Sequence, residues 1–307
     1  MPWDRVPHAR LLMRLMAAAL VLFLAAVSIV KGNSILESHR ARLEPSRSRV
    51  AVVDLATAQA SSPVARGQAV GEAARSVALV IGNTRYPDDD VPVRQAVEDA
   101  RAMADEIRVH DFDVTLGENL TKQSMLDAFS SFASKVEPDA TALIFFSGYG
   151  IQSDRQTYLI PVNAEIWREA DVRRDGVALD RLLADLDAHG ATTKLVVIDG
   201  SRRNPFEWRF RGASIGLAPV NAPKGTLVIY SAAPGQVIHD NDSSLFVGEL
   251  INQMRQSGAS VEDIFNRTRI MVARTSHDEQ VPGVFSSLTK GLVLSPASAT
   301  TVRESAQ

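Results

Sequence analysis

The chain has 307 residues, 45% of them hydrophobic, no cysteine and a formal net charge of -3. That length fits one folded domain of about 200–250 residues with an extension. The lack of cysteine excludes disulfides, thiolate metal sites and a cysteine nucleophile, and the near-neutral charge gives no reason to expect a nucleic-acid partner.

Residues 15–30 (LMAAALVLFLAAVSIV) form an uninterrupted apolar run preceded by Arg5, Arg10 and Arg14. A basic head and an apolar body mark a targeting element outside the fold. Two readings stay open. An uncleaved anchor would use 11–30, with Arg14 snorkelling, which suffices to span a bilayer. A cleaved signal peptide would use Ala26 and Ser28 as its small residues. Ile29 and Val30 continue the apolar run past that point and favour the anchor. Residues 31–75 are rich in Ala, Ser, Arg and Gln without sustained periodicity and read as a flexible tether. The domain expected to fold is 76–294, and the small polar tail 295–307 reads as disordered.

Within the domain, apolar runs and helical periodicity alternate. Residues 77–82 (VALVIG) suit a strand buried on both faces. Val93, Val97, Ala100, Ala104 and Ile107 predict a helix over 92–109, with Pro92 near its start. A strand over 112–116 precedes Thr121, an expected N-cap for a helix to 136. Residues 142–146 read as a third strand. Pro161 confines 158–161 to a short edge hairpin. A helix over 179–186, strands over 194–198 and 227–230, helices over 244–256 and 261–273, and a closing strand within 284–294 complete the pattern. This order implies an α/β fold of three layers: a mostly parallel central sheet with helices on both faces. Functional sites in such folds lie beyond the carboxyl ends of the strands. Two strand-end stretches fall there: Ser147-Gly148-Tyr149-Gly150 and Asp199-Gly200-Ser201-Arg202.

These two stretches resemble the catalytic loops of the caspase-like (metacaspase and caspase) peptidases, which read Ser/Ala-Gly-His-Gly and Asp-Ala/Ser-Cys. The resemblance extends along the domain and is to the bacterial type. Ala78-Leu79-Val80-Ile81-Gly82-Asn83 with Tyr86 is similar to the family's opening strand, and Glu98-Asp99-Ala100-Arg101 to its Asn-Asp-Ala-Arg. Tyr158-Leu159-Ile160-Pro161-Val162 resembles the segment after the histidine loop. Arg202, Asn204, Pro205 and Phe206 resemble the segment after the cysteine, and Ser231-Ala232-Ala233-Pro234-Gly235-Gln236 the substrate-side loop. A caspase-like fold is implied over 76–294.

The departures fall on the chemistry. Tyr149 stands where the family has its histidine and Ser201 where it has its cysteine. The family mechanism needs a thiolate and an imidazole. A serine hydroxyl needs a strong adjacent base, and a phenol with a reference pKa of about 10 is not one. His239 is the histidine that could relocate beside Ser201; a solvated loop residue next to Asp240 and Asp242 is its alternative. The resemblance also implies an acidic specificity pocket, with Asp99 and Asp199 at the positions that accept a basic side chain in relatives. Their plainer readings are a solvated helix charge for Asp99 and a strand-end carboxylate accepting backbone N–H bonds for Asp199. Gly148, Gly150 and Gly200 read as substrate-approach positions or as tight-turn residues.

The expected function is a membrane-anchored pseudopeptidase that binds a peptide or protein, basic in character, through the former substrate cleft. An endopeptidase with Ser201 as a non-standard nucleophile, and a scaffold partner of an active caspase-like homologue, are the alternatives. No metal or cofactor is expected; Asp88-Asp89-Asp90 lacks the spacing of a calcium loop. For a bacterial chain, the anchor reading implies the inner membrane, single-pass, with the domain on the periplasmic side. The signal-peptide reading implies secretion to the periplasm.

Overall fold

The computed structural model describes residues 76–87, 93–200, 216–220, 222–238, 243–256 and 258–294. The apolar segment 11–30, the tether 31–75, the tail 295–307, Asp88 to Asp90, Ser201, Arg202 and His239 lie outside the described residues. In chain order the elements are β1 (Ser76–Gly82), α1 (Ala96–Val109), β2 (Phe112–Glu118), α2 (Lys122–Ser134), β3 (Thr141–Ser147), β4 (Gly150–Ser153), β5 (Gln156–Leu159), α3 (Glu169–Asp175), β6 (Val177–Ala178), α4 (Leu179–Ala188), β7 (Thr193–Asp199), β8 (Thr226–Tyr230), α5 (Ser243–Met254), α6 (Val261–Thr275) and β9 (Gly283–Ser286).

Six strands pair in the order β2-β1-β3-β7-β8-β9. Every pairing is parallel except β8 with β9. The two-residue period of a strand sorts the apolar side chains onto two faces. Val80, Phe145, Val197 and Ile229 meet α1, α5 and α6. Ile81, Phe146, Ile198 and Val228 meet α2 and α4. Burying each such side chain contributes roughly 1.5–3 kcal/mol, which is why both faces must be covered. The sequence expectation of three layers with a mostly parallel sheet is met.

Register fixes the functional edge. Gly82 pairs with Ser147 and Ser147 with Asp199, so these residues form one row at the carboxyl end of the sheet. Gly82 lets α1 come close: a Cβ there would sit 2.4 Å from the Ala96 carbonyl oxygen. Arg101 on α1 grips Glu118 at the end of β2 through two 2.8 Å bonds. Asn83 Oδ1 accepts from the Leu120 backbone N–H at 2.9 Å, while its Nδ2 donates to the Ile160 carbonyl at 3.2 Å. The loops that follow β2 and β5 are therefore tied to the end of β1.

Several boundaries differ from expectation. Helix α1 starts at Ala96, not near residue 92, because its first turn closes from Asp99 N–H to Gln95 O. Val93 lies in a separate apolar cluster with Tyr86 and Tyr149 rather than on the helix face. Strand β5 is the centre of a small antiparallel sheet β4-β5-β6, not an edge; Pro161 falls beyond its end and so costs it no ladder bond. The closing strand is shorter than 284–294. After Ser286, Ser287 bonds back to Thr226, and Val293 meets Ser260 only in an isolated bridge. Helix α3 has too few apolar positions to announce itself by periodicity. Thr121 does cap α2, accepting from the Ser124 N–H. Among the described residues no helix is long and apolar enough to cross a membrane.

Candidate functional site

The first strand-end loop is built into the core. Tyr149 is 1% exposed and packs with Tyr86, Ile151, Tyr158 and Ile160. Its ring lies 4.6 Å from that of Tyr86, tilted by 58°. Backbone bonds fix it further: Tyr149 N–H donates to the Tyr86 hydroxyl at 3.1 Å, and Tyr149 O accepts from Ile160 N–H at 3.0 Å. The Tyr86 hydroxyl in turn donates to Ile160 O at 2.9 Å. Tyr86 is thus the residue that holds this loop closed.

The three glycines serve contact between chain segments. All are buried, and none has a positive φ. A Cβ on Gly148 would lie 2.7 Å from the Tyr86 hydroxyl, and one on Gly150 would lie 2.7 Å from Leu217. Gly150 N–H donates to Gly200 O at 3.1 Å and Gly148 N–H to Asp199 O at 3.2 Å, joining the two strand-end loops. Strands β3 and β7, which lead into these two loops, pair directly.

Asp199 is fully buried, and its Oδ2 accepts from the Ser147 hydroxyl at 3.0 Å. That partner is a side chain across the register row. By strand alternation, Ser147 and Asp199 share the face that carries Phe145 and Val197, against α1, α5 and α6. Asp99 lies in the first turn of α1, on the same face and at the same end of the sheet, and is only 8% exposed. It is not the solvated helix charge that its spacing allowed. Fold and register therefore gather Asp99, Asp199 and Ser147 at one edge. On the opposite face, burial pushes the Tyr230 phenol up to about 12, so it stays neutral at physiological pH. Among the described residues no group of three or more His, Cys, Asp or Glu is placed to hold a metal.

Two more buried residues border this edge: Gln280, which sequence reasoning missed, and Ser231, which the sequence placed only in the substrate-side loop. Gln280, after α6, is 1% exposed and donates from Nε2 to the Ser231 carbonyl at 2.9 Å. Ser231, just past β8, is fully buried, and its N–H donates to Ile198 O at 3.0 Å. Gln280 stands 81 positions from Asp199 in the chain, and no local signal connects them.

The caspase domain family model matches residues 75–293, which is most of the chain. The chain belongs to the caspase domain family. Among solved structures, the Drosophila initiator caspase Dronc resembles it with a TM-score of 0.53 at 16% identity, covering 81% of this chain and 97% of that one. At that identity the likeness speaks for the fold alone. No curated protein matches the sequence. The caspase-like α/β architecture is thereby established, with Tyr149 at the end of β3 and the Asp199-Gly200 loop at the end of β7.

Proposed function

We propose that this caspase domain is a catalytically silent binding module that takes a peptide or protein segment with a basic side chain at the carboxyl edge of its sheet. The observation that carries the reading is Tyr149. The position where the resemblance requires a mobile, proton-accepting imidazole holds a phenol walled into an apolar cluster at 1% exposure. The sequence also contains no cysteine to act as nucleophile. Around that edge, the buried carboxylates Asp99 and Asp199 support an anionic pocket suited to a cation. A basic group with matching donors would be drawn to them.

The apolar run 11–30 and its arginine-rich flank support an anchored protein, with the domain on the periplasmic side of the inner membrane. The test of silence is direct. Purified protein is incubated with arginine-, lysine- and aspartate-containing fluorogenic peptides, with Ser201→Ala as control. No hydrolysis above the buffer rate is expected from either protein. Turnover that disappears in Ser201→Ala would establish a serine peptidase and remove the proposal.

A further inference from the structure

The edge that holds Asp199 contains two more acceptors than the fold uses. Ser231 Oγ and Gln280 Oε1 are both buried, and neither has a hydrogen-bond partner. Native interiors rarely leave such atoms unsatisfied, and a site completed by a ligand is one recognised cause. Ser231 is the register neighbour of Asp199, and Gln280 is bonded to Ser231. Ile198 pairs with Tyr230, so one step further along the parallel register Asp199 stands opposite Ser231. Continuing the alternation from Ile229 turns Ser231 toward the face that Asp199 and Ser147 share. The Gln280 amide reaches the same point through its bond to Ser231 O, and that donation identifies Oε1 as its remaining acceptor.

We propose that Ser231 and Gln280 are specificity-determining residues, and that they make this pocket select a guanidinium over an ammonium. The inference rests on the reading of Asp199 as the anion that receives a basic side chain. A guanidinium presents five N–H donors in a rigid plane, of which a carboxylate engages two. Once desolvated, the others need acceptors of their own. By register the Ser231 backbone stands on the neighbouring strand end, about one strand spacing from Asp199, and Gln280 is tied to it through the Ser231 carbonyl. An ammonium offers three donors from a single centre. It pairs with Asp199 but makes no bond to the outer acceptors, and it forgoes what the guanidinium gains there.

The test measures binding of the purified full-length protein to capped, fluorescein-labelled alanine-rich peptides that differ only in one central arginine, lysine or citrulline. Citrulline keeps the shape of arginine and removes its charge. The parent is expected to bind the arginine peptide about tenfold more tightly than the lysine peptide, the worth of one well-made hydrogen bond. Ser231→Ala and Gln280→Leu should each bring that ratio close to one, with lysine affinity nearly unchanged. Ser231→Ala removes a single oxygen, and it decides the matter if Gln280→Leu fails to fold in a melting assay. A parent ratio near one, or a ratio that survives in Ser231→Ala, overturns the selection while leaving the basic pocket standing. Equal binding of citrulline and arginine, or no binding of any peptide, overturns the basic pocket and the selection with it.

Discussion

Strand β7 carries a buried charged residue near each end, and the two are finished differently. Lys194, at its amino end, has a side chain only 1% exposed. Its ammonium donates to the Asp187 carboxylate, to Ala191 O at 3.2 Å and to Lys224 O at 3.1 Å. Three donors meet three acceptors, all from the chain itself. Asp199, at the carboxyl end, accepts from Ser147 and has Ser231 as its register neighbour, and Ser231 Oγ and Gln280 Oε1 have no partner. A buried charge closed by its own chain is a clip between elements. At the other end, the spare acceptors Ser231 Oγ and Gln280 Oε1 are where the proposed ligand would place its donors. On the proposed reading, the same strand carries a structural clip at one end and a binding position at the other.

The largest effect that would break or sharpen this contrast lies at the closed end. Lys194→Met should cost about 3 kcal/mol in urea unfolding. Asp187, left 44% exposed, can rehydrate and so keeps the loss at the lower end for a buried pair. Peptide affinity should not change. A loss below about 1 kcal/mol would mean that the clip does not hold the strand.

Next in size is a pH effect at Tyr230, one residue before the open edge. Burial pushes its phenol up to about 12 from the ordinary value of 10.0. The folded state therefore binds that proton more tightly than the unfolded state. Stability is fully present below about pH 10 and is lost as pH rises toward 12, by about 2–3 kcal/mol. Tyr230→Phe should remove this part of the alkaline slope. An identical slope in the variant would place the titration elsewhere.

Asp199→Asn should reverse the pattern seen at Lys194. Its stability should stay within about 1 kcal/mol of the parent, because Asn can still accept from Ser147. Affinity for an arginine peptide should fall about tenfold or more. A large stability loss with unchanged binding would make Asp199 a second clip. The smallest signal is expected from Tyr149→His with Ser201→Cys. Hydrolysis of arginine peptides should rise above background but stay slow, because an imidazole at 149 inherits a packed site and not an open one. Silence from a folded double variant would argue that the cleft no longer presents a peptide bond to these positions.

Much of the fold could be read from the sequence because its signals are local. The buried strands are short β-branched runs, and Thr121 announces α2 by its capping chemistry. Helix α3 and the full extent of the β4-β5-β6 sheet were less legible. Their strands are only two to four residues long, and their apolar residues serve a small cluster rather than a periodic face. At the site, the loops around Tyr149 and Asp199 were legible through resemblance. The burial of Asp99 was not, since spacing along a helix does not reveal which neighbours cover its first turn. Ser231 was legible only as part of the substrate-side loop, and Gln280 not at all, because their meaning comes from register and from a loop that returns after α6. The glycines were legible as special positions but not in kind: they admit neighbouring chain segments, which a sequence does not specify.

The most direct test of the account follows binding and cleavage in one sample. A labelled arginine peptide is mixed with the purified protein; anisotropy reports binding, and mass spectrometry of the same tube reports the peptide. The account predicts saturable binding that fails with citrulline, with the peptide recovered intact. Cleaved peptide, with cleavage lost in Ser201→Ala, would contradict it.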